Sequence, residues 1–454
     1  MPYMKYTILT FLAAITLFVL STSCQLEEPG FSGTSVSQYE QNLFSRMVAL
    51  GDNYIAGYQN GALVAKYQQY GFANLMALQA KNNNFKQPLL AYPGLGSESL
   101  SGIGGVLELK YIDNPETPNT INPDPVIRPV LFSDYPDFNI NDPFIADSIR
   151  DYPLPYNNLA IPGILTEDIL IATEKIYSIS QSPLIDVVLR NPAAGNLTAL
   201  QQAMVYQPSL VTLWTGTYDI LAYAIFTGQG FSLDEPTPVD EFEQHFTSIV
   251  DSLLKTQAAI AVGNIPDVTL APYFHAVPKV VIDTVTNTPL LDENNNPIPL
   301  IGLDSEDDLL MFPAKQAIAE GYGIPQGIQN GNGEPIPEEF ILDAEEVTLV
   351  KQTVNGYNDA IESVCGIRDI PVVDMYDLFN TISNGGYTLA GFTFTDDFIT
   401  GGFYSIDGIH PSPMGQALIA NRWLDVIGSN YQASIPYVDI PQLMHELESY
   451  NTQP

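Results

Sequence analysis

Val48-Ala49-Leu50-Gly51-Asp52-Asn53-Tyr54-Ile55-Ala56-Gly57 is the stretch on which the reading of this chain turns. An aliphatic run ends abruptly in Gly51-Asp52, the pattern of a buried strand that stops at a tight turn. The residue presented just after that turn is Asn53.

Working outward from it, short runs rich in Val, Ile and Leu alternate with longer helical segments. This alternation places the chain in the α/β class, with helices around a mostly parallel central sheet. The pattern predicts core strands at 47–50, 158–161, 210–214, 258–262 and 371–375. Helices are expected at 63–81, 167–178, 197–206, 239–256, 344–364 and 413–427. Two regions break the rhythm. Residues 94–156 are crowded with Pro, Asp and Asn, and in 280–339 apolar runs flank Asp292-Glu293-Asn294-Asn295-Asn296, which predicts a hairpin. Both read as large loop/β insertions near the carboxyl ends of strands, where such sheets keep their ligand crevice.

The first residues stand apart from the fold. Lys5 precedes an apolar run from Thr7 to Leu20, too short to cross a bilayer comfortably as a helix, so residues 1–23 read as a secretory signal. The small residues of Leu20-Ser21-Thr22-Ser23-Cys24 resemble the lipobox of bacterial lipoproteins, which implies acylation of Cys24 as the mature N-terminus. An ordinary cleaved signal with an incidental Cys is the alternative. Residues 24–37 then form a flexible tether, 38–435 the main domain and 436–454 a C-terminal tail. Glu27 and Glu28 resemble the export signal of surface lipoproteins, so the expected place is the outer membrane or cell surface of a Gram-negative bacterium. With Cys24 lipidated, Cys365 is the remaining thiol; no internal disulfide can form, and it is expected to be a small buried hydrophobe.

Lys+Arg 16 against Asp+Glu 52 gives a net charge of −36. Such a field repels phosphate backbones and anionic head groups, which argues against nucleic acid and leaves the acyl chains on Cys24 to hold the protein at a membrane. At 45% hydrophobic and 11% aromatic residues the chain can bury a substantial core, so its acidity is not a sign of disorder.

Near the C-terminus, Ser405-Ile406-Asp407-Gly408-Ile409-His410-Pro411-Ser412 precedes a predicted helix. An Asp three residues before a His, in a turn closed by Gly408 and Pro411, can place an imidazole as general base with the carboxylate holding its tautomer.

Taken together the segments resemble the SGNH/GDSL hydrolase family, in its bacterial lipoprotein branch, whose members are esterases and lipases. Four blocks carry the resemblance in order: Gly51-Asp52-Asn53-Tyr54, Asn158-Leu159-Ala160-Ile161-Pro162-Gly163, Gly216-Thr217-Tyr218-Asp219 and Asp407-Gly408-Ile409-His410. The resemblance implies a flavodoxin-like three-layer α/β/α fold and no cofactor. It also implies roles: the first block supplies a nucleophilic Ser, the second a Gly whose N–H donates to the oxyanion, the third an oxyanion Asn, and the last the Asp and His.

This chain keeps Gly163, Asp407 and His410 but has Asn53 at the Ser position and Tyr218 at the Asn position. Asn has no hydroxyl to deprotonate, so His410 has nothing to activate there. Losing a catalytic Ser costs about a million-fold in turnover in the serine-protease template, and one oxyanion donor roughly 100- to 1000-fold. The expectation is therefore a pseudoenzyme that binds an acyl or carbohydrate ester. Two other readings stand beside it: an esterase with a rearranged nucleophile or His-activated water, and a structural surface scaffold. Rescue could come from Asp52 acting as a carboxylate, from Tyr54, Thr217 or Ser405, or from Ser97, Ser99 or Ser101 in a Gly-rich loop.

Other titratable residues give weaker signals. His275 follows a predicted strand near the crevice and could face a ligand, His245 reads as a solvated helix residue, and His445 lies in the tail. Asp292 to Asn296 has alternate oxygen ligands but lacks the Gly and the bidentate Glu of a calcium loop. Asp304 to Asp308 reads as an acidic helix start, and no His/Cys cluster suggests zinc, so no metal is expected.

Overall fold

The computed structural model describes residues 35–96, 104–112, 124–190, 196–226 and 235–451. Cys24, the expected signal at 1–23 and Ser97, Ser99 and Ser101 lie outside them.

Four parallel strands form the central sheet in the order β1 (Met47–Gly51), β4 (Leu210–Trp214), β5 (Ala259–Gly263) and β6 (Val372–Val373). Met47 pairs with Leu210 and Gly51 with Trp214, so the strand that ends in Gly-Asp is fully laddered. The expected strand at 158–161 runs parallel to β1 on its other side: Ala49 N–H donates to Asn157 O, while Leu159 and Ile161 N–H donate to Ala49 and Gly51 carbonyls. Counting it, the order is flavodoxin-like, with the chain reversing direction across the sheet beside β1.

Helices Phe72–Gln79 and Pro413–Tyr431 pack together, and helices Val239–Leu254 and Ala344–Ile367 form another packed pair; the two groups sandwich the sheet as the expected three-layer fold. An aromatic chain of Tyr54, Trp214, Phe72 and Trp423, with centroids 5.2 to 5.7 Å apart, fills one side of the sheet. Such rings bury large apolar area and dominate the local cohesion. Gly51 is indispensable to this packing. At φ 151° it passes so close to β4 that a Cβ would lie 1.8 Å from the Trp214 carbonyl oxygen.

Several elements depart from expectation. The helix expected at 63–81 is broken into Ala65–Gln68 and Phe72–Gln79, because Gly71 packs on Gly57, where a Cβ would meet Gly57 Cα at 3.1 Å. The helix expected at 167–178 stops at Ile171. Asp168 instead gathers the N–H groups of Leu165, Ile179 and Ser180 and pulls the chain into a loop. The tail is a helix, Ile440–Asn451, docked on Pro413–Tyr431 through buried Ile440 and Leu443.

In the first insertion, β2 (Gly104–Ile112) and β3 (Asp124–Leu131) form an antiparallel pair. Further along, Arg190 ties it down: its guanidinium sits 3.6 Å from the Tyr156 ring and donates to the carbonyls of Arg150, Tyr152 and Leu154. The second insertion has its own apolar cluster, with Val281, Leu300, Leu310 and Ile336 buried. Its hairpin is made of isolated bridges, Val280 to Pro299, Ile282 to Pro289 and Leu291 to Pro297. The prolines have no N–H to continue a ladder.

Candidate active site

β1 delivers the chain to the turn, and Asn53 opens the short helix Asn53–Ala56 that Gly57 ends in the left-handed region at φ 77°. Gly163 lies in the turn after the strand at 157–161, with φ 79°. His410 sits just before the helix Pro413–Tyr431, whose start is fixed by the Ser412 hydroxyl accepting Gly415 N–H and by Pro413 in the first turn. These three termini converge at the carboxyl end of the sheet.

Asn53 Oδ1 accepts the Gly163 N–H at 2.7 Å, and Asn53 Nδ2 lies 3.0 Å from His410 Nε2. A backbone N–H only donates, so the carbonyl end of the amide must face Gly163 and the NH2 must face the imidazole. His410 Nε2 is thereby the acceptor, and the ring proton is on Nδ1, 3.0 Å from Asp407 Oδ2. The carboxylate is saturated: Oδ2 also takes Gly61 N–H at 2.9 Å, and Oδ1 takes Ile409 and His410 N–H at 2.9 and 2.8 Å. Burial works to raise Asp407, but His410 and these N–H groups outweigh it and hold the carboxyl below its ordinary value.

This chain of contacts is sealed. Asn53 is 1% exposed and His410 0%, with the Tyr58 and Tyr54 rings edge-on to the imidazole at 4.8 and 5.7 Å. Tyr218 is buried as well, and a side chain on Gly163 would touch its ring at 3.8 Å and Ser182 Oγ at 3.4 Å. The tyrosine ring therefore stands beside the N–H that Asn53 already occupies.

Asp52 and Thr217 serve the frame. Asp52 Oδ2 accepts the N–H groups of Thr217 and Tyr218 at 3.0 and 3.3 Å, holding the start of the helix Thr217–Phe226, while Asp52 Oδ1 and Thr217 Oγ1 are buried without partners. Burial pushes the Asp52 carboxyl up to about 7, against the Tyr218 N–H and with the help of the nearby Asp219 charge. Asp219, pushed up to about 6 by burial, accepts Thr166 N–H and hydroxyl and so ties the third block to the segment that follows the second.

The other candidate nucleophiles are engaged or remote. Tyr54 Oη contacts the Ile409 carbonyl at 3.4 Å, and Ser405 Oγ accepts Asn60 N–H. Cys365 is buried, its thiol pushed up to about 12 by desolvation, and so inert. His275 lines a separate cleft of about 400 Å3 with Lys279 and Lys351, and its Nε2 lies 2.7 Å from the Thr269 carbonyl oxygen. His245 is half-buried rather than solvated, with Nδ1 lacking a partner, and His445 is exposed on the last helix. Asp292 Oδ1 accepts Asn294 and Asn296 N–H, an Asx turn. Among the described residues no group of three or more His, Cys, Asp or Glu side chains is placed to hold a metal.

Sequence reasoning missed Gly61, Tyr58 and Ser182, which hold Asp407, cover His410 and flank Gly163. The Asn60-Gly61 pair, a turn signal four residues after Gly57, was the one available clue.

The sequence over residues 47–423 matches the GDSL-like lipase/acylhydrolase family. The chain belongs to that family. Solved structures that resemble this GDSL-family chain do so distantly. The lipase/acylhydrolase from Enterococcus faecalis is 14% identical, over 62% of this chain and 77% of that one, with a TM-score of 0.26. Axe2, an acetylxylan esterase from Geobacillus stearothermophilus, is 11% identical over 84% and 93%, with a TM-score of 0.34. LAE5, an alpha/beta hydrolase enzyme from the metagenome of Lake Arreo, Spain, is 12% identical over 84% and 94%, with a TM-score of 0.33. No curated protein matches the sequence.

Proposed function

We propose that this GDSL-family protein is a pseudoenzyme: a lipoprotein anchored through Cys24 at the outer membrane or cell surface that binds an ester ligand without hydrolysing it. The carrying observation is the double use of the Asn53 amide, whose oxygen takes the Gly163 N–H and whose nitrogen takes His410 Nε2. In a working centre the N–H of such a glycine must meet a developing oxyanion, and the imidazole a hydroxyl. Here both are consumed by one side chain that can do neither job.

The burial of Asn53 and His410 also speaks against an ester reaching the old centre, so binding is assigned to the crevice around it. A rearranged esterase is the weaker reading. Asp52 is directed at the Thr217 and Tyr218 N–H groups, and water activation by His410 requires its Nε2, which is engaged.

The test is hydrolysis of p-nitrophenyl acetate and butyrate by the wild type beside His410→Ala. Equal rates at the buffer background are expected; wild-type turnover that His410→Ala abolishes overturns the proposal. Anchoring is tested separately by palmitate incorporation in a Gram-negative host, expected for the wild type and lost in Cys24→Ala.

A further inference from the structure

The cleft of about 400 Å3 that His275 lines is built from three separated pieces of chain: the segment that follows β5, residues 306–309 of the second insertion, and the start of the helix Ala344–Ile367. Its lining shares no residue with the centre formed by Asn53, Gly163 and His410. Its size is that of a small-molecule site.

Hydrogen bonds tie the three pieces into fixed walls. The buried Asp308 accepts Asp304 and Ser305 N–H through Oδ2 and Ala344 N–H through Oδ1, which locks the second insertion to the helix start. His275 Nε2 donates to the Thr269 carbonyl oxygen at 2.7 Å, and Tyr273 N–H donates to the Gly408 carbonyl, so the segment after β5 is held as well. Lys279 Nζ reaches the Glu306 carbonyl oxygen at 2.7 Å and joins this segment to the insertion. A cleft with such walls has its shape before a ligand arrives, which lowers the cost of binding.

The charges around it are uncommon for this chain. Lys+Arg number 16 in 454 residues, yet Lys279 and Lys351 both line this cleft, together with Glu306 and Asp307. Among the described residues neither ammonium is ion-paired; the bridges there are made by Arg150, Arg368, Arg422 and His410. Two positive and two negative residues thus border one space without neutralising each other.

That balance narrows the ligand. A lone anion meets two carboxylates in a chain of net charge −36, and a lone cation meets two ammoniums. A neutral sugar leaves all four charges unanswered. A zwitterion can set its carboxylate against the lysines and its ammonium against the acids, with charge-assisted hydrogen bonds at both ends. Leu270 and the buried Leu309 and Val347 complete the lining, which suits a short aliphatic body.

We propose that this cleft binds a small zwitterion with an aliphatic body, an aliphatic α-amino acid. The inference stands apart from the proposed function, because it does not depend on whether the Asn53 centre is silent.

The test is calorimetric titration of the full-length protein with L-leucine, N-acetyl-L-leucine and L-leucinamide, which keep both charges, the carboxylate alone and the ammonium alone. Saturable binding of leucine is expected, with each single-charge analogue weaker by about tenfold or more. Lys351→Met, at an exposed helix position, should weaken leucine roughly five- to tenfold and leave leucinamide unchanged. Glu306→Gln/Asp307→Asn should do the reverse, weakening leucine and sparing N-acetylleucine. Lys255→Met, at the end of the helix Val239–Leu254, should bind as the wild type does, and unchanged melting temperatures verify that each variant is folded. Absence of saturable leucine binding, an analogue that binds as tightly as leucine, or undiminished leucine binding in both cleft variants overturns the inference.

Discussion

The Asn53 side-chain oxygen accepts the Gly163 N–H at 2.7 Å, so the donor that the family resemblance assigns to an oxyanion is bound to the residue at the position the resemblance assigns to the nucleophile. On the proposed reading, Asn53 does more than remove a hydroxyl. It fills the vacancy with a group whose two ends match what lies on either side, and this gives Asn53 a structural value that a passive remnant would lack.

That value is measurable as stability. Asn53→Ala leaves the Gly163 N–H and His410 Nε2 buried without partners, and each such group costs about 1–3 kcal/mol. A loss of roughly 2–4 kcal/mol in urea unfolding is expected. A change within the error of the wild type would mean that the bridge holds nothing.

The amide also dictates the histidine tautomer. With Asn53 Nδ2 donating to Nε2 and Asp407 Oδ2 accepting the hydrogen bond from Nδ1–H, His410 should show a protonated Nδ1 and a bare Nε2 in 15N spectra at neutral pH. A proton found on Nε2 contradicts the wiring.

Asp52 makes stability depend on pH in a definite direction. Its carboxyl ionises near 3.8 in the unfolded chain and near 7 when folded, so the native state binds the extra proton between those values. Stability from this group is full below about pH 4, falls as pH rises toward 7, and is flat above. Asp219 acts alike up to about 6. In Asp52→Asn the decline in melting temperature between about pH 6 and 7.5 should largely disappear, leaving the Asp219 part at lower pH. A variant that follows the wild-type curve throughout that window shows that Asp52 does not carry it.

Much of this was legible in the sequence because the chemistry sits at strand ends and turns. Gly51-Asp52 after an aliphatic run located the turn that presents Asn53, Gly163 and Asp407 to His410 marked the other two corners, and the structure brings all of them together. What could not be read depends on distances between separated segments. Nothing in Asn53 announces that its amide spans Gly163 and His410, and nothing in Gly61 announces that it holds Asp407. The broken helix at Gly71 was hidden because its cause, the contact with Gly57, lies fourteen positions away. Asp168 lies within the helix expected at 167–178, yet its carboxylate binds a loop folded back through Ile179, which ends that helix at Ile171.

If Asn53 is what silences the centre, restoring a hydroxyl there should wake it. The decisive assay is fluorophosphonate labelling and p-nitrophenyl acetate hydrolysis by Asn53→Ser, with Asn53→Ser/His410→Ala and Asn53→Ser/Tyr218→Asn alongside. Expected are an unlabelled wild type, a labelled Asn53→Ser with turnover on the order of 100-fold above background, more again when Tyr218→Asn supplies an oxyanion donor, and none without His410. A wild type that labels and turns over as fast as Asn53→Ser would contradict it.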